Sequence, residues 1–130
     1  MLCPCCSGLD YSACCQPYLI GEKEAPTALS LMRSRYSAYA KGLVEYIVRT
    51  THPKNPQYQI HTKKWVEEIR RFIQETQFVK LEIEGFGDDW VAFIAFMVQN
   101  GRSVLLKEKS QFAKLDGKWL YLSGVFTKAV

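Results

Sequence analysis

The chain has 130 residues, of which 48% are hydrophobic and 13% aromatic, enough for one compact domain with a small appendage. Its net charge of +4 comes from 17 basic and 13 acidic residues that are scattered rather than clustered, which argues against a nucleic-acid-binding protein. No apolar run approaches the roughly 20 residues of a membrane-spanning helix, and no signal-peptide pattern is present. These features predict a cytoplasmic protein that binds neither nucleic acid nor membrane.

Five cysteines, all before residue 16, are the most distinctive feature of the sequence. Cys3 and Cys5 form one pair and Cys14 and Cys15 a second, with eight residues between the pairs. Thiolates that converge from two points of a short loop are the ligands that a tetrahedral Zn²⁺ ion requires. The segment itself is too short to fold around a core. The spacing therefore predicts a structural zinc site with Cys3, Cys5, Cys14 and Cys15 as ligands.

Three other interpretations of the cysteines stay open: adventitious cysteines, a redox dithiol and a disulfide pair. Adjacent cysteines such as Cys14 and Cys15 rarely bridge each other, and a secreted disulfide framework distributes its cysteines along the chain. A site with four sulfur ligands has no open position for water, which disfavours hydrolytic chemistry at the metal. Cys6 is interpreted as a spectator; the alternatives are that it competes with Cys5 for the metal or is an oxidation-prone thiol.

Three helices are predicted after this segment. Thr27 is a typical N-cap, and apolar residues follow it at helical spacing until Gly42, which ends the first helix. A shorter second helix stops before Pro53, because a residue that precedes proline avoids the helical region. Thr62 is predicted to cap the third helix. The buried face of this third helix is predicted to consist of Trp65, Ile69, Phe72 and Ile73.

An alternating pattern replaces the helical one after residue 76. Val79, Leu81 and Ile83 are predicted on the buried face of a first strand, and residues 90–98, apolar on both faces, form a central or doubly covered second strand. Tight hairpins are predicted at residues 100–101 and 116–117, around strands over 104–112 and 119–126. Helices followed by a four-stranded antiparallel meander predict an α+β fold. Residues 1–24 form the predicted zinc hook and residues 25–130 the main domain.

The run of residues 3–15 resembles the SEC-C motif, a short zinc-binding hook known from the tail of the translocase motor SecA and from many other bacterial proteins. The chain departs from the motif at Cys6, where the motif normally has a glycine that eases a tight turn. In SecA the hook contacts the chaperone SecB, so the motif alone implies, by analogy, a protein partner of that kind. The residues shared with the motif are Cys3, Pro4, Cys5, Ser7, Gly8, Tyr11, Cys14 and Cys15.

Beyond the hook, nearly the whole chain resembles the bacterial YchJ-like family. The resemblance implies a SEC-C hook fused to a cone-shaped domain of the nuclear transport factor 2-like (NTF2-like) fold, with three helices packed on a curved four-stranded antiparallel sheet. The family has no assigned activity, so the resemblance implies no reaction. The residues that carry it are Pro17-Tyr18, Gly21, Ala25-Pro26, Leu31 to Tyr39, Thr51-His52-Pro53, Lys107 to Ser110, Gly117-Lys118-Trp119 and Tyr121.

The third predicted strand carries a carboxylate, Glu108, on the same face as apolar residues. If that face lines the core, Glu108 needs a hydrogen-bonding partner or a raised pKa. Arg33 and Arg35 on the first helix are plausible partners, because a guanidinium can grip a carboxylate with two hydrogen bonds. Two interpretations follow: a structural Arg–Glu clasp between helix and sheet, which is favoured, and a pocket in which Glu108 is an acid, a base or a ligand anchor. The candidate pocket is Arg33, Arg35, Tyr36, His52, Glu108 and Ser110.

Two functions are compatible with these residues. The favoured one is a zinc-binding protein that acts as a binding or interaction module, with the hook for a protein partner and the cone-shaped pocket for a small-molecule ligand. The alternative is an isomerase- or dehydratase-like enzyme that uses the pocket around Glu108. The enzyme hypothesis requires a closed cavity that contains Glu108 and at least one other titratable group.

Overall fold

A computed structural model describes residues 1–129, with side chains up to Phe126, so Val130 of the predicted main domain lies outside the described residues. The described part folds into four α-helices followed by a four-stranded antiparallel sheet, which confirms the predicted α+β fold. The first helix is absent from the prediction, because four residues are too few to show a helical period. The elements are α1 (Gln16–Leu19), α2 (Ala28–Lys41), α3 (Val44–Arg49), α4 (Thr62–Gln74), β1 (Thr76–Phe86), β2 (Trp90–Gln99), β3 (Arg102–Leu115) and β4 (Lys118–Ala129).

Local capping chemistry sets the ends of α2. The Thr27 side chain accepts a hydrogen bond from the Ser30 backbone at 3.0 Å, and the Ser30 hydroxyl accepts one from the Thr27 backbone at 3.0 Å. Gly42 ends the helix in the left-handed conformation, with φ of 74°. Both predicted ends are confirmed. The predicted cap of α4 is wrong, because Thr62 is itself helical and the preceding residue, His61, makes no side-chain cap.

The sheet is a meander in the order β1-β2-β3-β4, so the apolar strand β2 is central, as predicted. Both hairpins have the positive φ angles of type I′ turns: 53° and 75° at Asn100 and Gly101, and 52° and 77° at Asp116 and Gly117. Within the described residues, no helix has the length and apolarity to cross a membrane.

The predicted inner face of β1 is wrong at one position. A β-bulge between Phe78 and Lys80 shifts the alternation, so Val79 is 56% exposed whereas Leu81 is buried. Phe78 takes the inward position and packs edge-on against Tyr36, with 6.0 Å between the ring centroids. The bulge therefore brings an aromatic ring of the sheet onto α2.

Helix α2 contacts both the hook and the sheet, and most of its side chains are buried. Arg33 and Ser37, four residues apart, lie on one face and contact the hook. Arg35, Tyr36 and Tyr39 line a cavity between this helix and the sheet. One helix thus positions both candidate sites.

Candidate metal centre and internal cavity

The four predicted cysteine ligands converge in the hook. The Sγ atoms of Cys3, Cys5, Cys14 and Cys15 all lie within 4.8 Å of one another, and Cys14 Sγ is 3.6 Å from Cys5 Sγ and 3.9 Å from Cys15 Sγ. Four sulfurs bound tetrahedrally at about 2.3 Å from a zinc ion lie about 3.8 Å apart. The donor set therefore fits a tetrahedral metal ion, and three of the four thiols are buried.

The backbone brings the two cysteine pairs together by folding residues 1–10 back on themselves. Leu2 pairs with Asp10 in an antiparallel bridge, and the Cys3 N–H donates to the Leu9 carbonyl at 2.9 Å. Gly8 makes the return with φ of 87°, a conformation that favours glycine. The second pair follows directly, after a short 3-10 turn at residues 11–13.

Donors from α2 approach the sulfur cluster. The Arg33 Nη1 donates to the Cys5 carbonyl at 2.8 Å and lies 3.7 Å from the Cys5 Sγ. The Ser37 hydroxyl lies 3.5 Å from the Cys3 Sγ. Four thiolates around a divalent ion leave about two net negative charges, which a neighbouring guanidinium partly offsets. Arg33 is therefore part of the surroundings of the candidate metal centre.

The thiols also interact with one another. The pKa of Cys5 is lowered, chiefly because the Cys15 thiol donates toward its sulfur, and the pKa of Cys15 is raised by this same interaction and by burial. Burial also raises the pKa of Cys14, whose Sγ lies 3.2 Å from the Ser7 hydroxyl. A metal ion that binds all four sulfurs must displace the remaining protons, so its affinity falls as the pH is lowered.

Cys6 lies outside the four-sulfur cluster. Its backbone has φ of 64°, a left-handed conformation that a residue with a Cβ adopts at a cost. Its thiol donates to the Pro4 carbonyl at 3.5 Å, and its sulfur accepts a hydrogen bond from the Leu81 N–H at 3.5 Å. The structure thus gives the physical reason for a glycine at this position of the motif, and it places Cys6 away from competition with Cys5.

We expect Cys6→Gly to raise the free energy of unfolding by about 0.5–1 kcal/mol. The strain of a left-handed residue, about 1–2 kcal/mol, exceeds the extra backbone entropy that glycine loses on folding, about 0.5–1 kcal/mol. Urea denaturation of the metal-loaded protein measures the difference. Cys6→Ala is the control, because it removes the thiol and keeps the strain; a glycine variant less stable than the alanine variant contradicts the expectation.

A cavity of about 350 Å³ lies between α2 and the inner face of the sheet. Its polar groups include Arg35, Glu108, Ser110 and Tyr121. Most of the remaining lining is apolar or aromatic, and β2 and β3 supply much of it. The aromatic side chains that line it include Tyr36, Tyr39, Phe78, Phe93, Phe112 and Phe126.

Glu108 is anchored in the cavity wall by two hydroxyl groups. Its Oε2 accepts hydrogen bonds from Ser110 at 2.6 Å and from Tyr121 at 2.7 Å. The pKa of Tyr121 is raised, first by burial and then by the negative charge of Glu108, so the phenol remains a donor. Gly124 makes room for this arrangement, because a Cβ there would overlap Oε2 of Glu108 and lie 2.6 Å from the Tyr121 hydroxyl.

Arg35 is buried, and among the described side chains it forms no ion pair with Glu108. Its guanidinium lies over the ring of Tyr121, 4.8 Å from the centroid. The predicted direct Arg–Glu clasp is therefore wrong, since Tyr121 links the two groups. The Arg35 Nη1 donates to three oxygens at the end of α3: Ile47 O at 3.0 Å, Thr50 Oγ1 at 2.8 Å and Thr51 Oγ1 at 3.2 Å.

Two of the six predicted pocket residues lie elsewhere. Arg33 contacts the hook, because residues two apart on a helix point about 200° from each other and cannot share a target with Arg35. His52 is buried beside β4: its N–H donates to the Tyr121 carbonyl at 2.9 Å, and its Nδ1 accepts from the Lys54 N–H at 3.0 Å. The four that line the cavity are Arg35, Tyr36, Glu108 and Ser110.

Sequence reasoning missed the contribution of β4 to this cavity. Tyr121 pairs with Phe112, but a register shift follows, so that Gly124, not Ser123, faces Ser110. Counting alternate residues from the hairpin would place Val125 inside, whereas it is 81% exposed. Because Tyr121 pairs with the inward-facing Phe112, the alternation of β3 could have predicted that Tyr121 faces inward. The bulge shifts the register beyond this pair, so the alternation could not predict that Gly124 faces inward.

Comparison with known proteins agrees with this architecture. Residues 27–124 match the family profile described as YchJ, middle NTF2-like domain. A UPF0225 protein of Serratia proteamaculans is 38% identical over 131 residues, covering 95% of this chain and 82% of its own length. A UPF0225 protein of Deinococcus radiodurans is 40% identical over 121 residues, covering 92% of this chain and 85% of its own length.

Two solved structures extend the similarity across the hook and the sheet. The solution structure of a SEC-C motif containing protein from Rhodopseudomonas palustris has a TM-score of 0.81 and 33% identity, and the match covers 96% of this chain and 98% of that one. The crystal structure of a SEC-C motif containing protein from Psychrobacter arcticus has a TM-score of 0.69 and 26% identity. The match covers 98% of this chain and 84% of that one. The chain therefore belongs to the YchJ-like family, with a SEC-C motif before an NTF2-like domain.

Proposed function

We propose that this protein is a zinc-binding interaction module in which Zn²⁺, held by Cys3, Cys5, Cys14 and Cys15, fixes the hook on α2. The observation that carries the proposal is the closed cluster of four sulfur atoms. Thiolate ligands favour zinc over hard cations such as Mg²⁺ and Ca²⁺. A zinc ion with four thiolates supplies folding free energy and has no open position for substrate.

The hook has an apolar surface that suits a protein partner. Leu2 is 70% exposed and Leu9 is 55% exposed, and both belong to the short loop that the bridge between residues 2 and 10 closes. Exposed apolar side chains concentrated on one small segment are typical of interaction sites. Both residues belong to the loop that carries the cysteines, so their arrangement depends on the metal. By analogy with the hook of SecA, we propose a SecB-type chaperone as the partner.

Calorimetric titration of the zinc-loaded protein with SecB tests this function. The double variant Leu2→Ser, Leu9→Ser is expected to bind at least tenfold more weakly while it retains its zinc. Ile60→Ser is the matched control, because Ile60 is an apolar residue with 86% exposure outside the hook. Equal affinities for the double variant and the control, or no binding by the wild type, would contradict the proposed interface.

The cavity favours a second function, the binding of a small molecule. Its volume of about 350 Å³ lies within the range of small-molecule sites, about 300–1,000 Å³. Glu108 lines it together with the titratable Tyr121, as the isomerase- or dehydratase-like alternative requires. That alternative also requires a closed cavity, whereas this one reaches the surface at Phe126, which is 59% exposed. A fragment screen by NMR tests this function: shifts at cavity-lining residues support it, and shifts confined to outer surfaces contradict it.

A further inference from the structure

We infer that the cavity binds a small protonated organic amine, whose N–H donates to Glu108 Oε1 and whose apolar body packs on the aromatic lining. The inference rests on the second function proposed above, that the cavity holds a small molecule, and it adds the chemical class of that molecule. Three features of the described residues support it: an open carboxylate oxygen, a guanidinium engaged elsewhere and an aromatic wall.

The first feature is the asymmetry of the Glu108 carboxylate. Both hydrogen bonds, from Ser110 and from Tyr121, go to Oε2. Every buried side-chain nitrogen or oxygen in the described part of the chain has a hydrogen-bond partner, so Oε1, which has none there, is in contact with open space. Glu108 lines the cavity, and an ionised carboxylate only accepts hydrogen bonds. The complementary ligand group is a donor.

The second feature is the engagement of the cationic side chains around Glu108. Arg35 donates to the last turn of α3, where the helix dipole is negative, and stacks on Tyr121. The neighbours of Glu108 on its own strand, Lys107 and Lys109, point to the exposed face of the sheet. Tyr39, also in the lining, is neutral because burial raises its pKa. Among the side chains that the structure describes, the open oxygen thus has no cationic partner, and a cationic ligand supplies one.

The third feature is the aromatic character of the wall. Tyr36, Tyr39, Phe78 and Phe112 line the cavity beside Glu108. The faces of aromatic rings attract ammonium groups, and the apolar surface of the rings packs against an apolar ligand and excludes water. Phe126 lines the cavity and is 59% exposed, so part of the wall reaches the protein surface and gives a route of entry.

Three probes with the same phenyl body test the inference on the zinc-loaded, full-length protein: 2-phenylethylamine, 2-phenylethanol and phenylacetate. We expect the amine to bind at least tenfold more tightly than the alcohol, and phenylacetate to bind most weakly. Glu108→Gln is expected to weaken amine binding about tenfold to a hundredfold and alcohol binding by only about threefold, because it keeps the shape and removes the charge. Glu67→Gln, on the exposed side of α4, is the matched control.

The outcomes separate the two levels of the proposal. Equal binding of amine and alcohol, with shifts at cavity residues, overturns the amine class and leaves the cavity function in place. Absence of binding by all three probes overturns both. Glu108→Asp retains the charge and is expected to keep the preference for amine over alcohol at lower affinity. A loss of that preference as complete as in Glu108→Gln contradicts a charge-based contact.

Discussion

Replacement of Cys15 by serine is expected to abolish stoichiometric metal binding and to lower the free energy of unfolding by about 4 kcal/mol or more. Cys15 is only 1% exposed, and it shares one core with the hook residue Leu19 and with Leu31 of α2. Loss of the metal removes the metal–sulfur bonds that hold this packing in place. Residues 1–24 cannot compensate, because they have few other apolar side chains to bury. Urea denaturation together with elemental analysis of zinc measures both effects.

Cys6→Ser is the matched control for this experiment. Cys6 is a neighbouring cysteine of the same hook, but its sulfur lies outside the metal cluster. We expect this variant to keep its zinc and to change the free energy of unfolding by less than about 1 kcal/mol. Retention of a full equivalent of zinc by the Cys15→Ser variant would show that the four-sulfur cluster is not the metal centre.

Substitution of Arg35 by methionine is expected to lower the free energy of unfolding by about 3 kcal/mol. Three oxygens at the end of α3 lose a donor, and Tyr121 loses the guanidinium that covers its ring. The Arg35→Lys variant is expected to lose about half as much of the free energy of unfolding, because an ammonium has three donors on a shorter side chain. Chemical denaturation of both variants measures these differences, and a methionine variant as stable as the wild type contradicts the account.

A double-mutant cycle of Arg35→Met with Glu108→Gln tests how these two groups are connected. The structure places Tyr121 between them as a shared partner, so the coupling energy is expected to be about 0.5–2 kcal/mol. A direct buried ion pair would give about 3 kcal/mol or more. The cycle thus distinguishes an arginine that stabilises α3 from an arginine that holds the carboxylate.

Features encoded by neighbouring residues could be predicted from the sequence. The cysteine ligands lie within 13 residues of one another, so their spacing alone indicates the cluster that the structure shows. The ends of α2 depend on Thr27 and Gly42, whose capping chemistry is local. The hairpin turns likewise follow from their own two residues.

Features that depend on distant residues could not be predicted. Helix α2 is covered by the hook on one side and by the sheet on another, so its apolar pattern did not show which arginine faces which layer. The partners of Glu108 come from β4 across a bulge, which shifts the alternation that sequence reasoning relies on. The polar arrangement of the cavity therefore required the structure.

The measurement that tests the central claim most directly is the native mass of the purified protein after alkylation with iodoacetamide. We predict one zinc ion per chain and one modified cysteine, Cys6, because the other four sulfurs are held by the metal. Removal of zinc with a chelator is expected to make all five cysteines reactive. A protein that takes up no zinc on reconstitution, or that is alkylated at the four clustered cysteines while zinc is bound, would contradict the account.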